Sequence, residues 1–356
     1  MTHTPTHRPR SEGAESLALR SPDAVLAALP YLLGFTPQES LVLVWIGRRR
    51  LLLTQRLDLV GARLDPVRWR AAIWEHAVAR CADELIAVLV TDDPEPDDVA
   101  ADVRDRAALA GVGLRDLIVT REGRWRSLLC NDPSCCPSDG RPVDPSAASA
   151  MAAEFTLRGV APMPDRAALV RELSEDARRS AAMRPLVDDE GARIPGSGRS
   201  LEDWRDATID ALSRTLGLTS AQLGPPVSPE ESAQLIVGLG DVRVRDTLLW
   251  ECASSEQVDL DRTLAILVGI LPSAPSDHIA PVATACAVVA WLAGDGARAL
   301  IAVERALLDA PEYTLAMLVL QSLRAGLPPS TWREAMSSVD RAECRYGLAA
   351  GRRATG

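Results

Sequence analysis

The 356 residues are 47% apolar and 25% charged, enough to bury a sizeable core, and the length fits roughly two domains of about 150 residues each. A formal charge of −10 counts against a polyanionic partner, because nucleic-acid binding draws most of its free energy from neutralised phosphates. The cationic side chains are all arginine, which marks a GC-rich coding sequence rather than selection for guanidinium chemistry.

Residues 1–20 carry His, Thr, Pro, Arg and Ser without an apolar core of signal-peptide length, so a disordered tail is expected there. From Ser21 to about Arg126, apolar runs of strand length alternate with amphipathic segments, the pattern of an α/β layer. Ser21-Pro22-Asp23 opens a helix expected to reach about Leu29, ahead of Pro30. Leu41–Ile46 is apolar on both faces, as a central buried strand must be. Gly47 and three arginines, Arg48, Arg49 and Arg50, then form a solvated hairpin tip. The next strand alternates, with Leu53, Gln55, Leu57 and Leu59 on one face and Thr54, Arg56 and Asp58 on the other.

Asp65-Pro66 signals a helix to about Ala82 that buries Trp69, Ile73 and Ala77. A strand at Leu85–Val90, a helix at about Pro96–Ala110, a strand at Leu114–Thr120 and a strand at Arg124–Leu129 follow. The fold class is therefore α/β, a mixed sheet with flanking helices in the N-terminal half, with its strand order left open. Beyond Ser146 the strand signal ends and an all-α half begins. Helices are expected at Ser146–Leu157 and Asp165 to about Arg178, and Arg184–Ser200 reads as a linker. The expected domains are a tail at 1–20, a mixed α/β domain at 21–145 and helices with a linker at 146–200. An all-α domain at 201–345, partly repeat-like, and a tail at 346–356 complete the chain.

Three motifs carry a family resemblance: Leu33-Gly34-Phe35-Thr36-Pro37, Ser40-Leu41-Val42 and Cys130-Asn-Asp-Pro-Ser-Cys135-Cys136-Pro137. Together they resemble the actinobacterial family known as domain of unknown function 4192, over most of the chain. That resemblance implies the cysteine turn is a shared feature and assigns it no role. Nearer the C-terminus, Ala287, Gly294-Asp295, Ala299, Val303, Ala306-Leu307 and Pro311 resemble one tetratricopeptide-type hairpin, although alanines replace the usual aromatics and Cys286 the usual leucine. An ordinary helical hairpin explains the same spacing.

The chemistry-bearing candidates are few. Cys130, Cys135 and Cys136 have the spacing Cys-x4-Cys-Cys, without the second Cys/His pair that a closed zinc site takes. An adjacent pair is also expected to have difficulty aiming both sulfurs at one ion. Half-buried packing thiols, a redox pair and metal ligation all remain open there, with Cys81 and His76 as the sole supplement. Arg56 and Asp58, with Thr54, share a strand face and can orient an anionic ligand or pair with each other. Asp92 ends an apolar strand, where α/β folds place ligand residues, while Asp93 and Asp97 read as helix caps. Ser40 opens a buried strand without a Gly-x-Ser-x-Gly elbow.

Phosphate-binding, dinucleotide, metalloprotease and nucleic-acid signatures are missing from the sequence. No cofactor is expected, nor a nucleic-acid or membrane partner, since the apolar stretches read as too short or too interrupted for a span of about 20 residues. The chain reads as soluble and cytoplasmic, its seven cysteines reduced. The leading expectation is a non-enzymatic protein that binds another protein through its C-terminal helices. The alternative is an enzyme or small-ligand binder with a site between the sheet and the cysteine turn, lined by Ser40, Arg56, Asp58 and Asp92.

Overall fold

A computed structural model describes residues 21–74, 81–93, 96–157, 161–218, 227–255 and 258–347. The chain divides into two compact units between Ala168 and Leu169, with Arg324–Leu327 grouped with the first.

The first unit opens with α1 (Pro22–Leu33), where the Ser21 hydroxyl accepts from Ala24 N and Pro22 takes the first helical turn. The helix runs through Pro30, past the expected end at Leu29. Burial of Leu29 and Leu33 offsets the backbone bond that proline forfeits, and Gly34 in the left-handed region closes the helix. Next come β1 (Ser40–Gly47), buried at every position, and β2 (Arg50–Asp58). Their two-residue turn puts Arg48 and Arg49 at φ 49° and 62°, the primed geometry that matches strand twist.

The chain then forms α2 (Leu59–Leu64), although the expected alternation carries the strand on to Leu59, and α3 (Pro66–Trp74). Trp69 and Ile73 are buried as the pattern requires, and Ala77 lies outside the described residues. After β3 (Glu84–Val90), α4 (Asp97–Ala110) crosses over to β4 (Gly113–Arg121), which lies parallel to β3. The sheet ends with β5 (Arg124–Ser127) and a short β6 (Arg141–Pro142) that the sequence pattern did not reveal. The order is β2-β1-β3-β4-β5-β6, antiparallel except for β3 and β4. Its core gathers Leu41, Leu43, Trp45, Leu85, Leu89 and Leu117 against α3 and α4 residues such as Ile73 and Val103. The unit closes with α5 (Pro145–Leu157), whose Phe155 ring stacks on Tyr31 at 4.5 Å.

Helices are the regular elements from the unit boundary onward among the described residues: α6 (Arg166–Leu173), which crosses the boundary, α7 (Ala177–Gly191), α8 (Arg199–Thr215), α9 (Pro229–Gly240), α10 (Val242–Ser254), α11 (Leu260–Ile270), α12 (Ile279–Ala293), α13 (Gly296–Asp309), α14 (Thr314–Arg324), α15 (Pro329–Ser337) and α16 (Arg341–Tyr346). One helix was expected across 165–178, yet Asp176 ends that stretch by capping a new one, accepting from Arg178 N and Arg179 N. That new helix runs through Pro185 to Gly191, anchored by the buried Val187, so the linker expected from Arg184 shrinks to residues 192–198.

At the centre, α12 is buried along nearly its whole length, and Gly294 and Asp295 turn the chain into α13. The stretch Ser276–Ala293 reaches a mean hydropathy of 1.3 and is long and apolar enough to cross a membrane, contrary to the expectation of apolar stretches too short or too interrupted for a span. Its burial, 72%, is that of a core helix packed among α9, α10, α11 and α13.

Candidate functional site

Because β1 runs antiparallel to both neighbours, its first residue meets the last residues of β2 and β3. Ser40 stands opposite Asp58 on one side and Val90 on the other. Its hydroxyl, fully buried, donates to Gln38 O at 2.5 Å and accepts from Arg56 Nε at 2.8 Å. The Arg56 guanidinium also donates to both Asp58 carboxylate oxygens, at 2.7 and 2.6 Å. Ser40 therefore sits in a filled hydrogen-bond network, with a guanidinium where a nucleophile would need a base.

Asp92 joins the same end of the sheet through its backbone. Its N–H donates to Glu39 Oε1 at 2.8 Å, and the Thr91 hydroxyl donates to Glu39 Oε2 at 3.1 Å. Glu39 holds this position at φ 40°, a left-handed conformation unusual for a side chain of its size. The four predicted residues thus gather around Gln38-Glu39-Ser40. Glu39, which ties β1 to β3, was not singled out by its sequence context.

A cleft of about 540 Å³ opens beside this network, at the carboxyl end of β3. Leu59 and Ala62 of α2, Pro66, Trp69 and Arg70 of α3, Thr91 and Asp93 after β3, and Asp98, Val99, Asp102 and Asp105 of α4 line it. Its place is the crevice outside strand ends where open α/β sheets hold ligands. The aspartate facing it is Asp93, with Asp92 exposed beside it. At the start of α4 the cap position is Pro96, without a side-chain cap.

Among the described residues the cleft is acidic, four aspartates against one arginine. Arg70 Nε donates to Asp102 Oδ1 at 2.7 Å. Asp102 Oδ2 is buried and has no hydrogen-bond partner among the described residues. A buried carboxylate oxygen left unpaired is costly. The signal was legible: Asp98, Asp102 and Asp105 recur at i, i+4 and i+7, which aligns them on one helix face.

The cysteine turn follows β5. Asp132 organises it: its carbonyl accepts from Cys135 N at 3.1 Å and Cys136 N at 2.7 Å. Its Oδ1 accepts from Ser134 N at 2.9 Å and the Ser134 hydroxyl at 2.7 Å. The three sulfurs come within 4.8 Å of one another, so the adjacent pair does converge with Cys130, contrary to expectation. The turn's tight backbone bonds bring this about. A hydrogen bond from the Asp132 backbone and the neighbouring thiol of Cys136 hold the Cys130 thiol below its usual range. Partial burial pushes the Cys136 thiol up.

Three strands, β1, β3 and β4, separate β2 from β5. At about 4.8 Å per step this puts Arg56 and the thiol edge about 19 Å apart. No common site forms between them. Cys81 lies exposed in the turn before β3, where a helix was expected, and His76 lies outside the described residues.

These features define a two-unit protein: an α/β unit with a ligand-sized acidic cleft and a separate thiol turn, and an all-α unit. The chain belongs to the family described as domain of unknown function (DUF4192), whose model matches residues 22–330. No curated protein and no solved structure gives a match.

Proposed function

We propose that this protein is a non-enzymatic binding protein whose α/β unit takes up a small organic cation in the acidic cleft. The observation that carries this reading is the cluster of four aspartates lining one cleft, against one arginine among the described residues that already pairs with Asp102. Trp69, Leu59 and Val99 add apolar surface, which suits an amine or guanidinium on a carbon framework better than a bare ion. The burial of Ser40 and its engagement by Arg56 support a role without covalent catalysis.

The test is thermal-shift screening of the full chain with diamines and guanidinium compounds, and with nucleotides and carboxylates as the opposite charge class. A cation at 100 times its Kd adds about 2.7 kcal/mol to the folded form. A rise with cations alone supports the reading. No rise, or a rise only with anions, removes it.

A second reading, binding of another protein through the C-terminal helices, is favoured by Leu308 on α13 and Leu318 on α14, which are exposed at 85% and 53%. Large apolar side chains left in water suit a covered surface. A purified partner retained by the full chain and lost with Leu308→Glu and Leu318→Glu supports it; equal retention counts against it. Seven free cysteines suit a reducing, cytoplasmic compartment, and the acidic charge supports a role without nucleic acid.

A further inference from the structure

The turn at Cys130–Cys136 gathers three soft donors that neither the cleft nor the Arg56 network uses. We propose that Cys130, Cys135 and Cys136 together bind one thiophilic cation, Zn2+ in the first instance, whose fourth coordination position stays open to an exogenous ligand.

The geometry is close to what such an ion requires. The three sulfurs lie within 4.8 Å of one another. Tetrahedral zinc thiolates, with Zn–S bonds of about 2.3 Å, hold their sulfurs about 3.8 Å apart. Contraction by about 1 Å at most closes the site, a movement that rotation about the side-chain bonds supplies.

The scaffold is braced on both sides of the thiols. The Asp132 carbonyl fixes the backbone of Cys135 and Cys136, and Asp132 Oδ1 is occupied by Ser134. Beyond the turn, Arg124 donates to Asp139 O at 2.9 Å and Gly140 O at 2.6 Å, which pins the return of the chain to β6. Ligands held by their own backbone lose little freedom when the ion enters.

The donor set is also specific. Thiolates select soft ions, and among the described residues these three cysteines form a group with no His, Asp or Glu donor added. Three protein ligands with one open position is the arrangement of exchange or catalytic zinc sites, whereas closed structural sites use four. Cys135 is exposed and the other two half-buried, so an incoming ion and its fourth ligand reach the sulfurs from solvent. Binding displaces three thiol protons to solvent and leaves a net charge of −1 on the ion and its thiolates. Arg141, within 3.4 Å of Cys135 O, stands close enough to offset it.

The experiment titrates the reduced full chain with Co2+ as a spectroscopic probe, then with Zn2+. The expected result is a sulfur-to-cobalt charge-transfer band that saturates at one equivalent, is abolished by Zn2+, survives Cys81→Ser and is lost in Cys135→Ser. No band at one equivalent, or a band that survives Cys135→Ser, overturns the proposal. Should Cys135→Ser fail to fold, alkylation of the unaltered chain decides. Zn2+ is expected to slow labelling of Cys130, Cys135 and Cys136 together and to leave Cys81 unchanged. Equal labelling with and without Zn2+ overturns the proposal, as does a turn that forms a disulfide under mild reductant and binds no metal.

Discussion

Arg56 grips Asp58, two residues along the same face of β2, with both terminal guanidinium nitrogens while its Nε reaches the buried Ser40 hydroxyl at 2.8 Å. The two partners are unequally placed: the Arg56 side chain is 14% exposed and that of Asp58 61%.

That asymmetry predicts unequal costs. Arg56→Met strips the buried Ser40 oxygen of its charged donor and is expected to cost about 1–3 kcal/mol. Asp58→Asn disturbs an ion pair that water screens on one side, and should cost less than about 1 kcal/mol. Urea unfolding of the full chain compares them. Equal losses would place the stabilisation in the ion pair rather than in the contact with Ser40.

Much of the first unit was legible because its elements obey local rules. Continuous apolarity marked β1, alternation marked β2, and Ser21-Pro22 and Asp65-Pro66 marked helix starts. Failures fell where tertiary burial overrode a local signal. Pro30 and Pro185 read as breakers, yet both lie inside helices whose neighbouring side chains, Leu33 and Val187, are buried. Short β6 has too little pattern to read, since it owes its place to pairing with β5. The candidate site was legible in part. Alternation places Arg56 and Asp58 on one face of β2, whereas Ser40 reaches them only through the pairing that sets it opposite Asp58. The cleft depends on α2, α3 and α4 meeting at one sheet end, and sequence spacing shows only the aspartate stripe on α4.

Gln55 gives a second prediction. Its Oε1 accepts from the indole N–H of fully buried Trp45 at 3.1 Å, and its Nε2 donates to Ala72 O at 2.6 Å. Gln55→Leu keeps the apolar face of β2 but removes the acceptor of the Trp45 indole N–H and the donor to Ala72 O. A loss of about 1–3 kcal/mol in denaturant unfolding is expected. No loss would mean the indole has found another acceptor.

Thiol reactivity separates the cysteines into classes. Burial pushes the thiols of Cys252 and Cys286 up to about 12 each, so at pH 8 both remain protonated and shielded. In the native protein, iodoacetamide is expected to label exposed Cys81 and Cys135 and to spare Cys252 and Cys286 until denaturant is added. Native labelling of Cys286 would contradict its place in the core of α12.

Close helix packing makes a fourth prediction. A Cβ at Gly238 on α9 would come within 2.7 Å of Leu212 Cδ1 and 3.1 Å of Thr208 Cγ2, both on α8. Leu212 can turn aside for a methyl group, but a branched side chain forces the helices apart. Gly238→Val should cost about 1–3 kcal/mol and Gly238→Ala less. Thermal unfolding of the two variants orders them.

Cation binding in the cleft is tested most directly by comparing thermal shifts of the unaltered chain and of Asp98→Asn/Asp105→Asn. Both aspartates are exposed on α4, so their neutralisation leaves the core intact. A diamine or guanidinium compound is expected to raise the Tm of the unaltered chain and to lose most of that effect in the double variant, with carboxylates inert on both. Equal shifts in the two proteins, or stabilisation by anions alone, would contradict a cation-binding cleft.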